Sequence, residues 1–212
     1  PYVVWIFIMI VVPMLLIVLY AFTTAGNEVT TFRFTLENFT RFFQDAVFLD
    51  VLGRSLVIAV LTTVICVLIG YPIAYAISKR PEHSNMFWVL IITMPTWINM
   101  MVRTYAWVGI LQDNGLINSV LGLFGIGPVK MIYTTFAVVL GMVYNFIPFM
   151  ILQIHTSLTK MDKSYLEAAA DLGADRVQSF LRVTLPLSLP GVLSGITLVF
   201  LPAVSSFFIP KL

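Results

Sequence analysis

Of 212 residues, 59% are apolar and only 10% are Asp, Glu, Lys or Arg, with a formal net charge of +2. Ordinary soluble domains are roughly 45–50% apolar and about 25% charged. Twelve basic and ten acidic side chains cannot cover a water-soluble fold of this length, so the chain reads as an integral membrane protein. The small net charge gives no reason to expect a nucleic-acid binder.

The reactive residues are equally sparse. Cys66 is the only cysteine, which rules out an internal disulfide or a Cys-based zinc site. His83 and His155 stand far apart, and no His-Glu-x-x-His, Gly-x-Ser-x-Gly or Walker-type phosphate loop occurs. The chain therefore lacks the visible chemistry of an intramembrane protease or an ATPase. It has no initiator Met and starts inside an apolar run, so a trimmed or partial chain is expected.

A helix needs about 20 mostly apolar residues to cross about 30 Å of hydrocarbon. Five stretches meet that length: Tyr2–Phe22, Ser55–Ser78, Met86–Leu111, Ile132–Ile154 and Gly191–Ile209. Their apolar residues are continuous rather than alternating, which excludes a β-barrel. Between the first two, Phe39, Phe42 and Phe43 are spaced as a short amphipathic helix at the interface. Lys79–Asn85 is a tight turn around Pro81, Gln112–Met131 is Gly-rich, and His155–Pro190 is the most polar segment. Each span carries a proline: Pro13, Pro72, Pro95, Pro148 and Pro202. Each removes a helical hydrogen bond, which favours kinked helices around a cavity.

Orientation follows from Lys and Arg in the connections. Lys79, Arg80, Lys160, Lys163, Arg176 and Arg182 fall on one side. Arg33, Arg41 and Lys130 fall on the other, with Arg54 at a helix edge. The first side, and with it the N-terminus, is expected to be cytoplasmic.

The polar segment reads as two short helices joined at a glycine. Ser164 and Glu167 have capping-box spacing, and Ala168, Ala169 and Ala170 are strong helix formers. Gly173 follows Leu172, where a left-handed residue closes a helix. Asp175 and Gln178 start a second helix, with Val177, Phe180, Leu181 and Thr184 on one face and Pro186 as the expected stop. A helix bearing three alanines lets another protein approach its backbone closely, or else packs against the ends of neighbouring spans.

Glu167-Ala-Ala-Ala-Asp171-Leu-Gly173, nine residues, then Val183-Thr-Leu185-Pro186 resembles the EAA signature of ABC importer permeases. The spacing matches throughout, with Val183 in place of isoleucine. Leu36-Glu-Asn38-Phe39, Pro95-Thr-Trp97, Arg103-Thr-Tyr105-Ala-Trp107, Pro148-Phe149, Leu198-Val-Phe-Leu-Pro202-Ala and Phe208-Ile-Pro210-Lys-Leu are similar to the spermidine/putrescine branch of that family.

That resemblance implies a type I importer permease: one polytopic helical bundle over residues 1–212, with six spans expected against five visible. It also implies an elbow at 160–190 that couples to a separate ATPase through Glu167, Ala168, Ala169, Asp171, Gly173, Leu185 and Pro186. The implied chain is a transport subunit rather than an enzyme, in a bacterial cytoplasmic membrane. It binds no cofactor; ATP and Mg are used by an ATP-binding subunit dimer. A second homologous permease and an extracellular or periplasmic polyamine-binding protein complete the implied assembly. Sulfate, molybdate or iron permeases share the elbow, and a secondary transporter is a further alternative. Such a transporter would carry intramembrane charges or paired broken helices, which the sequence does not display.

Trp97, Asn99, Tyr105, Trp107 and Tyr144 are the residues expected along a polyamine path. Aromatic faces attract ammonium groups without trapping them, although interfacial belts use the same residues. Asn145 and Gln153 offer further polar lining. No Asp or Glu lies deep in a span, so selectivity is expected to rest with the binding protein. Arg103 stands about 17 residues into the third span, roughly 25 Å along a straight helix, where a snorkelling or carbonyl-capping role is expected. Gly191 and Gly195 form a GxxxG face suited to close helix packing. Cys66 is expected to be inert.

Overall fold

In a computed structural model of the chain, residues 2–23, 34–125 and 127–206 are described. Helices dominate. They are α1 (Tyr2–Ile6), α2 (Val12–Ala21), α3 (Glu37–Gln44), α4 (Ala46–Ser78), α5 (Glu82–Thr93), α6 (Met100–Leu111) and α7 (Leu116–Leu123). The series continues with α8 (Thr135–Thr159), α9 (Ser164–Asp171), α10 (Arg176–Ser179) and α11 (Leu185–Ser205). The chain divides into two compact units, residues 1–54 and 55–212.

In the first unit, a π-turn at Phe7–Val11 carries α1 into α2, with the Val12 N–H on the Phe7 carbonyl, and Pro13 falls in the first turn after it. Asn38 at the start of α3 closes the end of α2. Its Nδ2 lies 2.9 Å from the Thr23 carbonyl oxygen and 3.1 Å from that of Ala21. These are among the last carbonyls of a helix, which have no intrahelical donor. Phe39 packs on Phe22 at 5.2 Å between ring centroids, and Phe39, Phe42 and Phe43 all stay exposed along α3.

The second unit is organised around α8, whose residues are the most buried of any spanning helix. Glycines let its neighbours approach. A Cβ on Gly195 of α11 would lie 2.6 Å from Met150 Sδ, and one on Gly70 of α4 would lie 3.1 Å from Met150 Cγ. Met150, with 0% exposure, therefore sits between the two glycines. Gly191 meets Ser157 and the Gln153 carbonyl of α8 in the same way. Lipid tails are as apolar as the helices, so this van der Waals fit does the work that hydrophobic burial does in water.

Among the described residues, four helices are long and apolar enough to span: Val4–Ala21, Ala46–Ser78, Thr135–Thr159 and Arg176–Ser205. The expected third span is not one helix. His83–Trp97 and Met100–Leu123 are bent by 88° at two extended residues, Ile98 and Asn99. Pro95 lies in a 3₁₀ turn, Met94–Trp97, just ahead of the break. Asn99 then starts α6 by accepting the Met101 N–H at 2.8 Å. The depth deduced for Arg103 from a straight helix does not survive this bend.

Pro186 also behaves differently from expectation: the helix runs through it. A π-turn at Phe180–Thr184 carries α10 into α11, and Pro186 falls in the first turn after it. The wider turn redirects the Leu185 N–H to the Phe180 carbonyl, which relieves the ordinary i→i−4 demand where proline would break it. The last span thus begins well before Gly191. Its expected end at Ile209, with the Phe208–Leu212 motif, lies outside the described residues, as does Arg33.

Candidate functional site

The elbow between α8 and α11 is built from strictly local chemistry. Ser164 is the first residue of α9 rather than its cap, so the expected Ser164–Glu167 capping box does not form. The cap position is Lys163, which makes no side-chain capping bond; one residue earlier, Asp162 Oδ1 accepts the Ser164 N–H at 2.9 Å. That hydrogen bond holds the Asp162 carboxyl below the ordinary carboxylate range. At the other end, Gly173 has φ +77°. Its N–H donates to the Ala170 carbonyl and the Ala174 N–H to the Ala169 carbonyl, at 2.9 and 3.0 Å. Together these form a Schellman motif. The second helix opens on a complete capping box, Gln178 N to Asp175 Oδ1 at 2.7 Å and Asp175 N to Gln178 Oε1 at 3.3 Å.

The face this elbow presents is small and open. Glu167, Ala168, Ala170, Asp171 and Gly173 are exposed and Ala169 is half-buried. The alanines are therefore available to an approaching surface rather than consumed by packing on the spans. Of the expected apolar face on the second helix, only Phe180 and Thr184 turn inward; Val177 and Leu181 are exposed. Leu185 is half-buried and Pro186 exposed at the entry to α11.

Behind the elbow lies a contact network that motif reading does not reveal. Phe180 stands edge-on to Tyr71 and Tyr75 of α4, at 5.8 and 5.1 Å between centroids. Tyr71 Oη lies 2.8 Å from Ser188 Oγ in a buried site, and Lys79 Nζ lies 4.4 Å over the Tyr75 ring. His155 Nε2 and Asn85 Oδ1 join α8 to α5 at 2.6 Å. A period-four spacing of tyrosines in an apolar span was the only signal available for Tyr71 and Tyr75. Nothing local marked Ser188 or Asn85.

The expected path residues separate into two groups. Trp107 and Tyr144 come together across α6 and α8, ring to ring at 5.4 Å in a T-shaped pair. Trp97 and Tyr105 are 76% and 73% exposed on this chain, and Asn99 serves as the helix cap described above. Asn145 is buried and donates to the Gly141 carbonyl at 2.8 Å, while Gln153 is half-buried at the α8–α11 contact. Arg103 is half-buried and caps no carbonyl through its inner nitrogens. Its Nε and Nη1 are buried and make no hydrogen bond among the described residues. Cys66 is buried, with Sγ 4.0 Å from the Val143 carbonyl. Among the described residues, no three His, Cys, Asp or Glu side chains converge as a metal would require.

This architecture has solved counterparts. A chain of a bacterial ABC transporter that imports the acidic polysaccharide alginate superposes with a TM-score of 0.77, covering 98% of this chain and 72% of the other at 18% identity. The same kind of transporter, in complex with an alginate-pentasaccharide-bound periplasmic protein, superposes at 0.73, covering 91% and 66% at 18% identity. The chain is thus a multi-pass α-helical membrane protein with the fold of ABC importer membrane subunits.

Sequence relatives narrow this further, although no family model matches. The spermidine/putrescine transport system permease protein PotB of Haemophilus influenzae is 36% identical over 98% of this chain and 73% of its own length. PotB of Escherichia coli is 35% identical over 98% and 76%. The inner membrane ABC transporter permease protein YdcU of Escherichia coli is 29% identical over 91% and 66%. The chain belongs to the permease family of ABC transport systems, in its spermidine/putrescine branch. Its relatives are transport subunits rather than enzymes.

Proposed function

We propose that this chain forms half of the translocation pathway of an ATP-driven polyamine importer and couples to a separate ATPase subunit through its elbow. The observation that carries the reading is the exposed, Schellman-closed alanine helix Ser164–Asp171 on a chain 36% identical to a spermidine/putrescine permease. Glu167, Ala168, Ala169, Asp171 and Gly173 form the docking surface; Leu185 and Pro186 carry the chain from it into the last span. The alanines admit the ATPase surface to within van der Waals reach of the backbone. Two ATP-binding subunits hydrolyse ATP with Mg, a second homologous permease supplies the other half of the path, and a binding protein delivers cargo from outside. The N-terminus is cytoplasmic, in line with the excess of Lys and Arg on the elbow side.

Trp97 and Tyr105, exposed on this chain, face the partner permease, while the Trp107–Tyr144 pair stiffens the wall behind them. Asp and Glu are missing from the interior of the spans, which suits a path that passes a multivalent cation without holding it. Arg103, half-buried with Nε and Nη1 unpartnered among the described residues, favours one competing reading, an oxyanion cargo. A probable molybdenum ABC transporter permease of Haloferax volcanii is 31% identical over 73% of this chain, though over only 55% of its own length. Competition in proteoliposomes containing the complete complex and binding protein separates the two. Radiolabelled spermidine uptake should be blocked by excess unlabelled spermidine or putrescine and not by molybdate or sulfate. The opposite pattern refutes the polyamine assignment.

A further inference from the structure

The elbow is tied to the membrane region in two ways. Lengthwise, α10 continues through the π-turn Phe180–Thr184 into α11, so Arg176–Ser205 is one helix of 30 residues. Sideways, the stretch on either side of that π-turn is fastened to α4. Phe180, at its start, contacts both Tyr71 and Tyr75 edge-on. Ser188, one turn beyond its end, holds the Tyr71 hydroxyl at 2.8 Å. Ser188 Oγ donates its single hydrogen to the Leu185 carbonyl at 2.9 Å, so Tyr71 is the donor in the shared bond.

These ties do more than fill space. A π-turn carries one residue more than the regular helix and can rewind under load, absorbing a displacement instead of transmitting it. An apolar pair in place of the Tyr71–Ser188 hydrogen bond would be nearly as stabilising, but it would not define register. A directional bond on one side of the π-turn and two ring edges on the other pin the wide turn from both ends.

We propose that Phe180, Tyr71 and Ser188 form a clamp that keeps the π-turn wound, so that displacement of the elbow by the ATPase reaches α4 and α11 together. They are positioning residues for transport, acting through the helices they join. The proposal rests on the reading of the elbow as the ATPase docking site.

The test uses the whole complex, with ATPase, second permease and binding protein, in proteoliposomes. Spermidine uptake and ATP hydrolysis are measured on the same preparation, together with the amount of ATPase retained. Phe180→Ala removes both ring contacts, and Tyr71→Phe removes one hydroxyl while leaving the packing in place. Both complexes should retain their ATPase and basal hydrolysis, while spermidine imported per ATP falls roughly tenfold for Phe180→Ala, within the usual range of coupling between sites. Tyr71→Phe should show a smaller loss of the same kind, and Phe180→Tyr should restore the parent ratio. Unchanged uptake per ATP in Tyr71→Phe and Phe180→Ala overturns the clamp. So does a loss of uptake that only follows a loss of ATPase from the complex, since that is a merely structural role. Ala169→Arg on the same complex reports on docking separately: full ATPase retention there removes the docking reading, whatever the clamp variants do.

Discussion

Replacing Gly173 separates backbone geometry from side-chain contact at the elbow. The residue sits at φ +77°, and a Cβ added there would meet nothing within 4 Å. Any effect of Gly173→Ala must therefore come from the conformation and not from a clash. Holding an L-residue in the left-handed region costs about 1–2 kcal/mol, which corresponds to roughly 5–30-fold fewer elbows in the closed Schellman geometry. Asn tolerates that region better than other non-glycine residues, and a β-branched residue tolerates it worst. The expected order of ATPase affinity is thus Gly, then Asn, then Ala, then Val. The spans themselves should be untouched, because no packing partner is displaced. Titration of detergent-solubilised permease complex with purified ATPase measures the affinities, and thermal unfolding of the same samples checks the spans. Equal affinity for all four residues would show that the left-handed closure is irrelevant to docking, and a parallel loss of thermal stability would show that the effect is not local.

Gly191→Ala should destabilise the isolated chain, because the new Cβ would lie 2.4 Å from Ser157 Cβ and 2.8 Å from the Gln153 carbonyl oxygen. Overpacking of about 1–3 kcal/mol outweighs the gain of about 1 kcal/mol in helix propensity. Gly109→Ala, with nothing within 4 Å, should be neutral or stabilising in the same denaturation assay, and Ser157→Gly should partly rescue Gly191→Ala. His83 and Gly122 are both exposed and lie on opposite sides of the proposed topology. Single cysteines there in a Cys66→Ser background should react with an impermeant thiol reagent in intact cells only at 122, and labelling at 83 would reverse the orientation. The first turn of α9 should loosen in acid. The Asp162 carboxyl, depressed by the Ser164 N–H, supports that turn above the ordinary carboxylate range and loses its hold as pH falls through its own lower value. Amide exchange at Ser164–Leu166, corrected for intrinsic rate, should show this loss, and Asp162→Ala should remove the pH dependence.

Much of this architecture is legible in the chain itself, because the features concerned are local. Continuous apolar runs of spanning length need no partner to be recognised, since the bilayer imposes their length. The elbow is equally self-contained: Gly173 closes one helix and Asp175 with Gln178 opens the next, all within a few residues of one another. The Gly191–Gly195 face also signals its own close approach, although not which helix it meets. What the sequence left open, or suggested wrongly, depended on competition between neighbours. Ser164 and Asp162 both carry side chains able to hold the first turn of α9, and in the fold it is Asp162 that accepts a backbone N–H there. Pro186 normally ends a helix, but a π-turn carries the helix past it, with Phe180 against Tyr71 and Tyr75 of α4 and α11 packed along α8. Pro95 gives no measure of its bend, and the 88° break after it depends on the extended pair Ile98–Asn99 and the cap on α6. Spacing placed Trp97, Tyr105, Trp107 and Tyr144 in one group. The fold parts them, because helix packing turns Trp107 toward Tyr144 and leaves Trp97 and Tyr105 on the outer face. The Tyr71–Ser188 bond joins residues 117 positions apart, a separation that only the tertiary fold can bring within hydrogen-bonding distance.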